Sequence, residues 1–313
     1  MTERVRHVPA RDGTPIAYVV RGAQADGDAP ALVFTSGFTA SHFYWRHLLP
    51  RFEPHARLIA WDLKGHGSSG PARDPLAVRV EDSVDDLRRV LDACGVERAV
   101  LFAFSLGCQV ILEAWRHMPA RIAGLVPILG TYERPFDNLF HPALGPRLFR
   151  VFRRVGPTIG GPALKAGWLQ SRAPLSFRLS QRLGLIGPRV AREDMEHFFA
   201  HMPRIHGPTW ARMGIAAQEH SARDLLPTIT APVLVVGGGK DTFTPTHLSE
   251  HMARAIPGAE LLLLPEGTHT GLFEFPSVIA DRAEAFLRAH ELLAAPPPQA
   301  ARSHRLASAS GTD

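Results

Sequence analysis

From position 98 onward, short runs of valine, isoleucine and leucine alternate with stretches whose apolar residues recur every three or four positions. Near-continuous apolar runs mark strands buried on both faces, and the three-to-four spacing marks helices that bury one side. On this reading the chain opens with a strand pair at 6–8 and 16–21, followed by strands at 31–37, 56–62, 99–104, 122–129, 231–238 and 259–265. Helices are expected near 41–53, 79–95, 106–118, 245–256 and 274–293. Strand and helix in alternation predict an α/β protein: a mostly parallel eight-stranded sheet with helices on both faces. The alternation stops once. Residues 132–222 hold helical patterns punctuated by proline and glycine, and no convincing strand, so they predict a helical cap inserted into a core made of 1–131 and 223–293. The tail, 294–313, is rich in proline, alanine and serine and is expected to be disordered.

Composition narrows the picture. With 45% hydrophobic and 21% charged residues, the 313-residue chain has ordinary globular make-up. The net charge is +5, and Lys64, Lys165 and Lys240 are the only lysines, so arginine carries nearly all of it. No basic run is interleaved with aromatics, which argues against a nucleic-acid partner. The charge is unevenly placed: 132–222 contains 13 Arg and Lys against 6 Asp and Glu, a balance of +7 that leaves −2 for the rest. Such a segment can steer anionic substrates or attach to anionic lipid, but solvated helix faces are the reading preferred from sequence. The first residues, MTERVRHVPARDGTP, contain no apolar leader, and no run of about 18 apolar residues occurs. A cytoplasmic protein without membrane insertion is therefore expected. Cys94 and Cys108 lie in helical patterns at no metal-ligand spacing; buried thiols, no metal and no cofactor are expected.

The candidate chemistry centres on AVLFAFSLGCQV, where Ser105 stands at the change from apolar strand to helix. A sharp turn there would lift the serine hydroxyl to the edge of the sheet at the start of a helix, provided that the residues two before and two after are small. Gly107 meets the demand fully, and Ala103 adds one methyl group. A serine needs a base to take its proton and an acid to orient that base. Asp241, on the Gly-rich turn of VVGGGKDTFTPT, and His269, in the loop of LLLLPEGTHTGLFEFP, each follow a predicted strand. In the loop after 31–35, Gly37 permits a sharp turn, so that the N–H of Phe38 and the N–H of Leu106 can converge on one oxyanion.

Taken together, SGF, WDLKGHGSSG, AFSLG, GGGKDTFTP and EGTHTGLFEFP resemble the motifs of the α/β-hydrolase fold superfamily, over about residues 5–292. The resemblance implies Ser105, Asp241 and His269 as a catalytic triad and Phe38 and Leu106 as backbone donors. Ser36 stands where the family commonly has histidine, and Ala103 where it has glycine. Relatives that open epoxides or displace halide carry aspartate at the elbow, whereas serine here implies an acyl-serine intermediate. His66 and Asp62 read as structural residues of the turn after 56–62. Gly37, Phe104, Trp168 and Trp210 are the expected substrate-binding residues, in an apolar site. The reaction expected is hydrolysis of a small or medium carboxylic ester, thioester or lactone, with a small molecule as the only partner and the oligomeric state open. Acyl transfer to another acceptor or to peroxide remains an alternative, as does a slow-turnover ligand receptor of the same fold.

Overall fold

The computed structural model describes residues 4–22, 29–139, 143–171 and 175–293; the tail expected at 294–313 lies outside the described residues. Eight strands form one sheet: β1 (Arg6–Pro9), β2 (Pro15–Arg21), β3 (Ala31–Thr35), β4 (Leu58–Trp61), β5 (Ala99–Phe104), β6 (Ile122–Ile128), β7 (Leu234–Gly238) and β8 (Glu260–Leu264). Their order is β1-β2-β4-β3-β5-β6-β7-β8. The pairs β1–β2 and β2–β4 are antiparallel, and every later pair is parallel. The central strands are buried on both faces, as their unbroken apolar sequences require.

The helices follow in chain order: α1 (Leu49–Phe52), α2 (Val80–Ala93), α3 (Gly107–His117), α4 (Pro135–Asn138), α5 (Gly145–Ser171), α6 (Ser176–Arg182), α7 (Arg192–His201), α8 (Gly207–Glu219), α9 (Thr246–Ala255), α10 (Gly271–Glu274) and α11 (Pro276–Ala289). Alternate residues of β5 enter two different cores. Ala99, Leu101 and Ala103 pack with residues of α2, α3 and α9, while Val100, Phe102 and Phe104 pack with residues of α1 and α11. Both faces of the sheet are thus covered by helices. No helix among the described residues is long and apolar enough to cross a membrane.

One expected helix is divided. In place of one helix over 41–53 there is a 3-10 turn at His42–Trp45 and then α1. Pro50 lacks the N–H that a continuous helix would direct at the carbonyl of Arg46, so the helix restarts there. The helix expected at 274–293 is found as α11, which starts at Pro276 and ends at Ala289, after the separate short helix α10.

Between β6 and β7 lie α4 to α8, without a strand of the sheet, over the interval read from sequence as an insertion. Its first and last residues meet in an isolated bridge between Glu133 and Ser221. The long helix α5 packs against α8 through glycines. A methyl group on Gly160 would stand 2.8 Å from the carbonyl oxygen of Gly207, and one on Gly207 would stand 2.0 Å from the N atom of Gly161. α8 is in turn anchored on the core, where His206 N–H donates to the Gly65 carbonyl at 3.0 Å. Gly207→Ala should therefore force two backbones apart. Overpacking of this kind costs about 1–3 kcal/mol, and alanine recovers at most about 1 kcal/mol through helix propensity. The expected outcome is a lower melting temperature; an unchanged or raised one would show that α5 and α8 do not depend on this approach.

Candidate active site

Ser105 follows the last residue of β5 and has φ +55°, a left-handed backbone that a non-glycine residue adopts at a cost of about 1–3 kcal/mol. Its N–H donates to the Ile128 carbonyl at 3.1 Å, and its carbonyl accepts from Cys108 N–H at 3.0 Å, so the neighbouring strand and the first turn of α3 hold the strain. The turn tolerates only small neighbours. A methyl on Gly37 would stand 2.7 Å from Cβ of Ser105, and one on Gly107 would stand 2.7 Å from the Thr35 carbonyl oxygen. Ala103 is fully buried, in register with Thr35 and Pro127. The small Cys108 of α3 packs close by, with its Sγ 3.5 Å from the Ala103 carbonyl oxygen. Burial pushes the Cys108 thiol up to about 12, which keeps it protonated. Cys94 is buried as well, as expected for both cysteines.

The loops after β5, β7 and β8 bring Ser105, Asp241 and His269 together. Nε2 of His269 is 3.0 Å from Oγ of Ser105, and its Nδ1 is 2.8 Å from Oδ2 of Asp241. Asp241 Oδ1 accepts from the N–H groups of Phe243 (2.8 Å) and Thr244 (2.9 Å), while Thr244 Oγ1 donates to Oδ2 at 2.7 Å. These bonds aim the buried carboxylate at the imidazole. The His269 ring lies between Phe243, stacked at 4.9 Å, and Phe104 at 5.0 Å. Neither Phe38 N–H nor Leu106 N–H donates to another group among the described residues, and both residues line the same cavity as Ser105.

The loop that carries Phe38 is held from several sides. Trp45 Nε1–H donates to Ser36 Oγ at 3.2 Å, a brace made through the serine that replaces the family's histidine. Burial lowers the basicity of His66, and its Nδ1–H donates to the Lys64 carbonyl at 2.9 Å. Nε2 is left to accept from Thr39 N–H at 3.3 Å. Thr39, with φ +66°, is also gripped from above, since Trp210 Nε1–H donates to its Oγ1 at 2.9 Å and the Trp210 ring stacks on Phe38 at 4.7 Å. Asp62 is fully buried and accepts from His42 N–H at 2.7 Å and Ser68 N–H at 2.9 Å. Burial opposes its charge, but these bonds and the His42 ring hold its carboxyl below the usual carboxylate range. Both His66 and Asp62 are thus structural supports, as read from sequence.

Ser105 and His269 open into a cavity of about 340 Å³ with almost wholly apolar walls, formed by Phe38, Phe136, Leu139, Phe152, Trp210 and Phe243 among others. Of the expected substrate-binding residues, Trp210 is in the wall. Gly37 lies behind Ser105, where it allows the close approach of the backbone. Phe104 is a correction: it is 3% exposed and packed between Tyr44 and His269, so it supports the histidine and does not face the cavity. Trp168 is another, for it lines a separate crevice with Arg192, Glu196 and Phe199. Thr244, Phe136, Phe152 and Phe243 were missed. Thr244 was detectable, since a threonine three residues after a turn aspartate commonly bonds back to it. Among the described residues, no three His, Cys, Asp or Glu side chains gather as a metal ion would require.

The sequence pattern of the α/β hydrolase fold matches residues 30–276. The chain is 28% identical, over 250 residues, to RutD of Stutzerimonas stutzeri (strain A1501), whose name provisionally makes it a carbamate hydrolase; the match covers 77% of this chain and 85% of RutD. It is 23% identical over 286 residues to Epoxide hydrolase 4 of Mus musculus, covering 88% and 77% of the two chains. The crystal structure of a hydrolase from Pseudomonas aeruginosa PA01 superposes with a TM-score of 0.71 at 26% identity, covering 92% of this chain and 99% of that one.

The packing at position 103 makes a test of the elbow. Ala103→Gly should change the rate of any turnover at Ser105 by less than about threefold, at a stability cost of up to about 1 kcal/mol. Ala103→Val should lower the rate far more, because two further carbons overpack a fully buried position. An unchanged rate in the valine variant would contradict this account of the turn.

Proposed function

This chain belongs to the α/β hydrolase fold family, and from that premise we propose that it is a serine hydrolase acting on small or medium carboxylic esters, thioesters or lactones. The observation that carries the reading is the relay of 3.0 Å from Ser105 Oγ to His269 Nε2 and 2.8 Å from His269 Nδ1 to Asp241 Oδ2. In this mechanism Ser105 Oγ attacks the acyl carbon while His269 Nε2 takes its proton. Asp241 keeps the proton of His269 on Nδ1 and stabilises the imidazolium that forms. The N–H groups of Phe38 and Leu106 receive the charge that develops on the acyl oxygen; loss of one such donor typically costs about 2.7–4 kcal/mol. Collapse of the tetrahedral species breaks the bond to the alcohol or thiol, which leaves with the proton from His269. Water then attacks the acyl-serine with His269 as base, and the acid and free Ser105 are released.

Epoxide opening through an alkyl-ester intermediate needs a carboxylate nucleophile, and this chain has serine there. The apolar cavity, at about 340 Å³ near the lower end of ligand-site sizes, favours a compact substrate with an apolar acyl or alcohol group. α5 and α8 act as the cap in this reading, because Phe152 and Trp210 supply two of its walls.

Turnover should be measured on p-nitrophenyl esters of rising chain length, lactones and acyl thioesters, with an aryl carbamate included because of the name RutD carries. Ser105→Ala and His269→Ala should each lower kcat/KM by at least about a thousandfold, and the double variant should lose no more than either, because the groups act as a unit. The melting temperature should hardly move in Ser105→Ala, whose hydroxyl faces a cavity. Retention of more than about one per cent of activity in Ser105→Ala would contradict the proposal.

A further inference from the structure

Among the described residues, eight of the thirteen large apolar side chains that stand open to solvent fall between positions 144 and 183. On α5, four of these, Leu148, Val151, Ile159 and Leu169, form one row with the exposed Pro162 and Ala166 and the half-buried Val155; the seven are separated by three or four positions, which at about 100° per residue confines them to an arc of roughly 80°. Val151 is 62% exposed and Leu169 60%. Beside that row runs a second, of Arg147, Arg150, Arg154 and Lys165, all exposed. The inward side of the helix carries Phe152, Gly156, Gly160 and Leu164, which face α8, the cavity and the interior. α6 follows the same plan in miniature, with Leu175, Leu179 and Leu183 exposed and Arg178 and Arg182 among them.

The charge on this face has one sign. From position 138 to 192 there are ten arginines and lysines and no aspartate or glutamate. Among the described residues, Arg147, Arg150, Arg154, Arg178 and Arg182 form no ion pair. An apolar row flanked by unneutralised arginine is the arrangement of a helix that lies in the plane of a lipid surface, with its apolar side among the acyl chains and its cations at anionic headgroups. A second copy of the chain fits poorly, since it would bring the same uncompensated positive charge against itself. Nucleic acid would satisfy the arginines and leave the apolar row without a partner.

We propose that the outer face of α5 and α6 is a docking surface for an anionic phospholipid bilayer. The attachment is peripheral: the apolar row enters the headgroup region and the arginines hold the phosphates. α5 then lies between lipid and cavity. Phe152, on its inner side, lines the cavity with Ser105, so docking brings the cavity within about one helix diameter, roughly 10–12 Å, of the bilayer. The sequence reading preferred solvated faces for this charge; the continuous apolar row beside it is the reason to depart from that preference. The docking proposal does not depend on the reaction assigned to Ser105.

The test is co-sedimentation of the full chain with vesicles of phosphatidylcholine and phosphatidylglycerol at equal amounts, and with phosphatidylcholine alone, at low and high salt. Binding should favour the anionic vesicles by at least about tenfold and weaken at high salt as the Debye length shortens. The combined variants Arg147→Gln, Arg150→Gln, Arg154→Gln and, separately, Val151→Ser, Ile159→Ser, Leu169→Ser should each reduce binding by about tenfold or more, with unchanged melting temperature. Should the apolar variant fail to fold, the arginine variant alone retains the test. Equal binding to both vesicle types, or variants that bind like the parent, would overturn the proposal. So would the absence of vesicle binding together with a dimer, seen by sedimentation velocity, that the serine variant abolishes; the face would then be an interface between copies. Heparin binding that needs the arginines but not the apolar row, without vesicle binding, would overturn it equally.

Discussion

The backbone of Ser105, held at φ +55° where β5 gives way to α3, sets conditions for a large part of the molecule. A side chain can be lifted out of the sheet edge in this way only if nothing bulky lies beneath or beside it. Gly37, Gly107 and Gly130 are required by that crowding, and a methyl on Gly130 would stand 2.2 Å from Cys108 Sγ. The position of β6 follows as well, because the Ile128 carbonyl takes the N–H of Ser105. Ala103 satisfies the same condition with a methyl group in place of a hydrogen. The strain is local, and the fully buried strands around it supply the rigidity that maintains it.

The helices between β6 and β7 are tied to both loops that flank the serine. On one side Trp210 bonds and stacks on the loop of Phe38 and Thr39. On the other, Gly187 N–H donates to Thr270 Oγ1 at 2.9 Å, next to His269. Thr268 and Thr270 are gathered in turn by the carboxylate of Glu274, whose Oε2 accepts from Thr268 N–H at 3.1 Å and from Thr270 Oγ1 at 3.2 Å. Any displacement of these helices is therefore felt by the donor loop and by the histidine loop together. α5 is connected to the loop of Phe38 through side chains in direct contact, Phe152 against Trp210 and Trp210 against Phe38.

The sheet and its reactive edge were legible in sequence because each depends on neighbours in the chain. Ser105, Asp241 and His269 each follow a short apolar run, directly or after a short turn, and the pattern that identifies the strand also identifies the edge. Residues whose roles arise from distant contacts were not legible. His66 supports Thr39 across 27 positions, and Trp210 reaches Thr39 across 171. Aromatic residues in the helical interval announced an apolar site but not which helix side would face it, so Trp210 lies in the cavity wall and Trp168 does not. The uneven charge was countable from the sequence, yet the exposed row beside it on α5 depends on where α8 packs. Pro50 was a visible break, passed over where apolar spacing continued through it.

The central claim is that Ser105 is a nucleophile activated by His269, and covalent capture tests it most directly. The full chain should be treated with a fluorophosphonate, digested, and mapped by mass spectrometry. The account predicts one phosphonyl group on the peptide that carries Ser105, with loss of fluoride, and labelling slowed by at least about a hundredfold in His269→Ala. An unlabelled Ser105, or labelling at the same rate without His269, would contradict it.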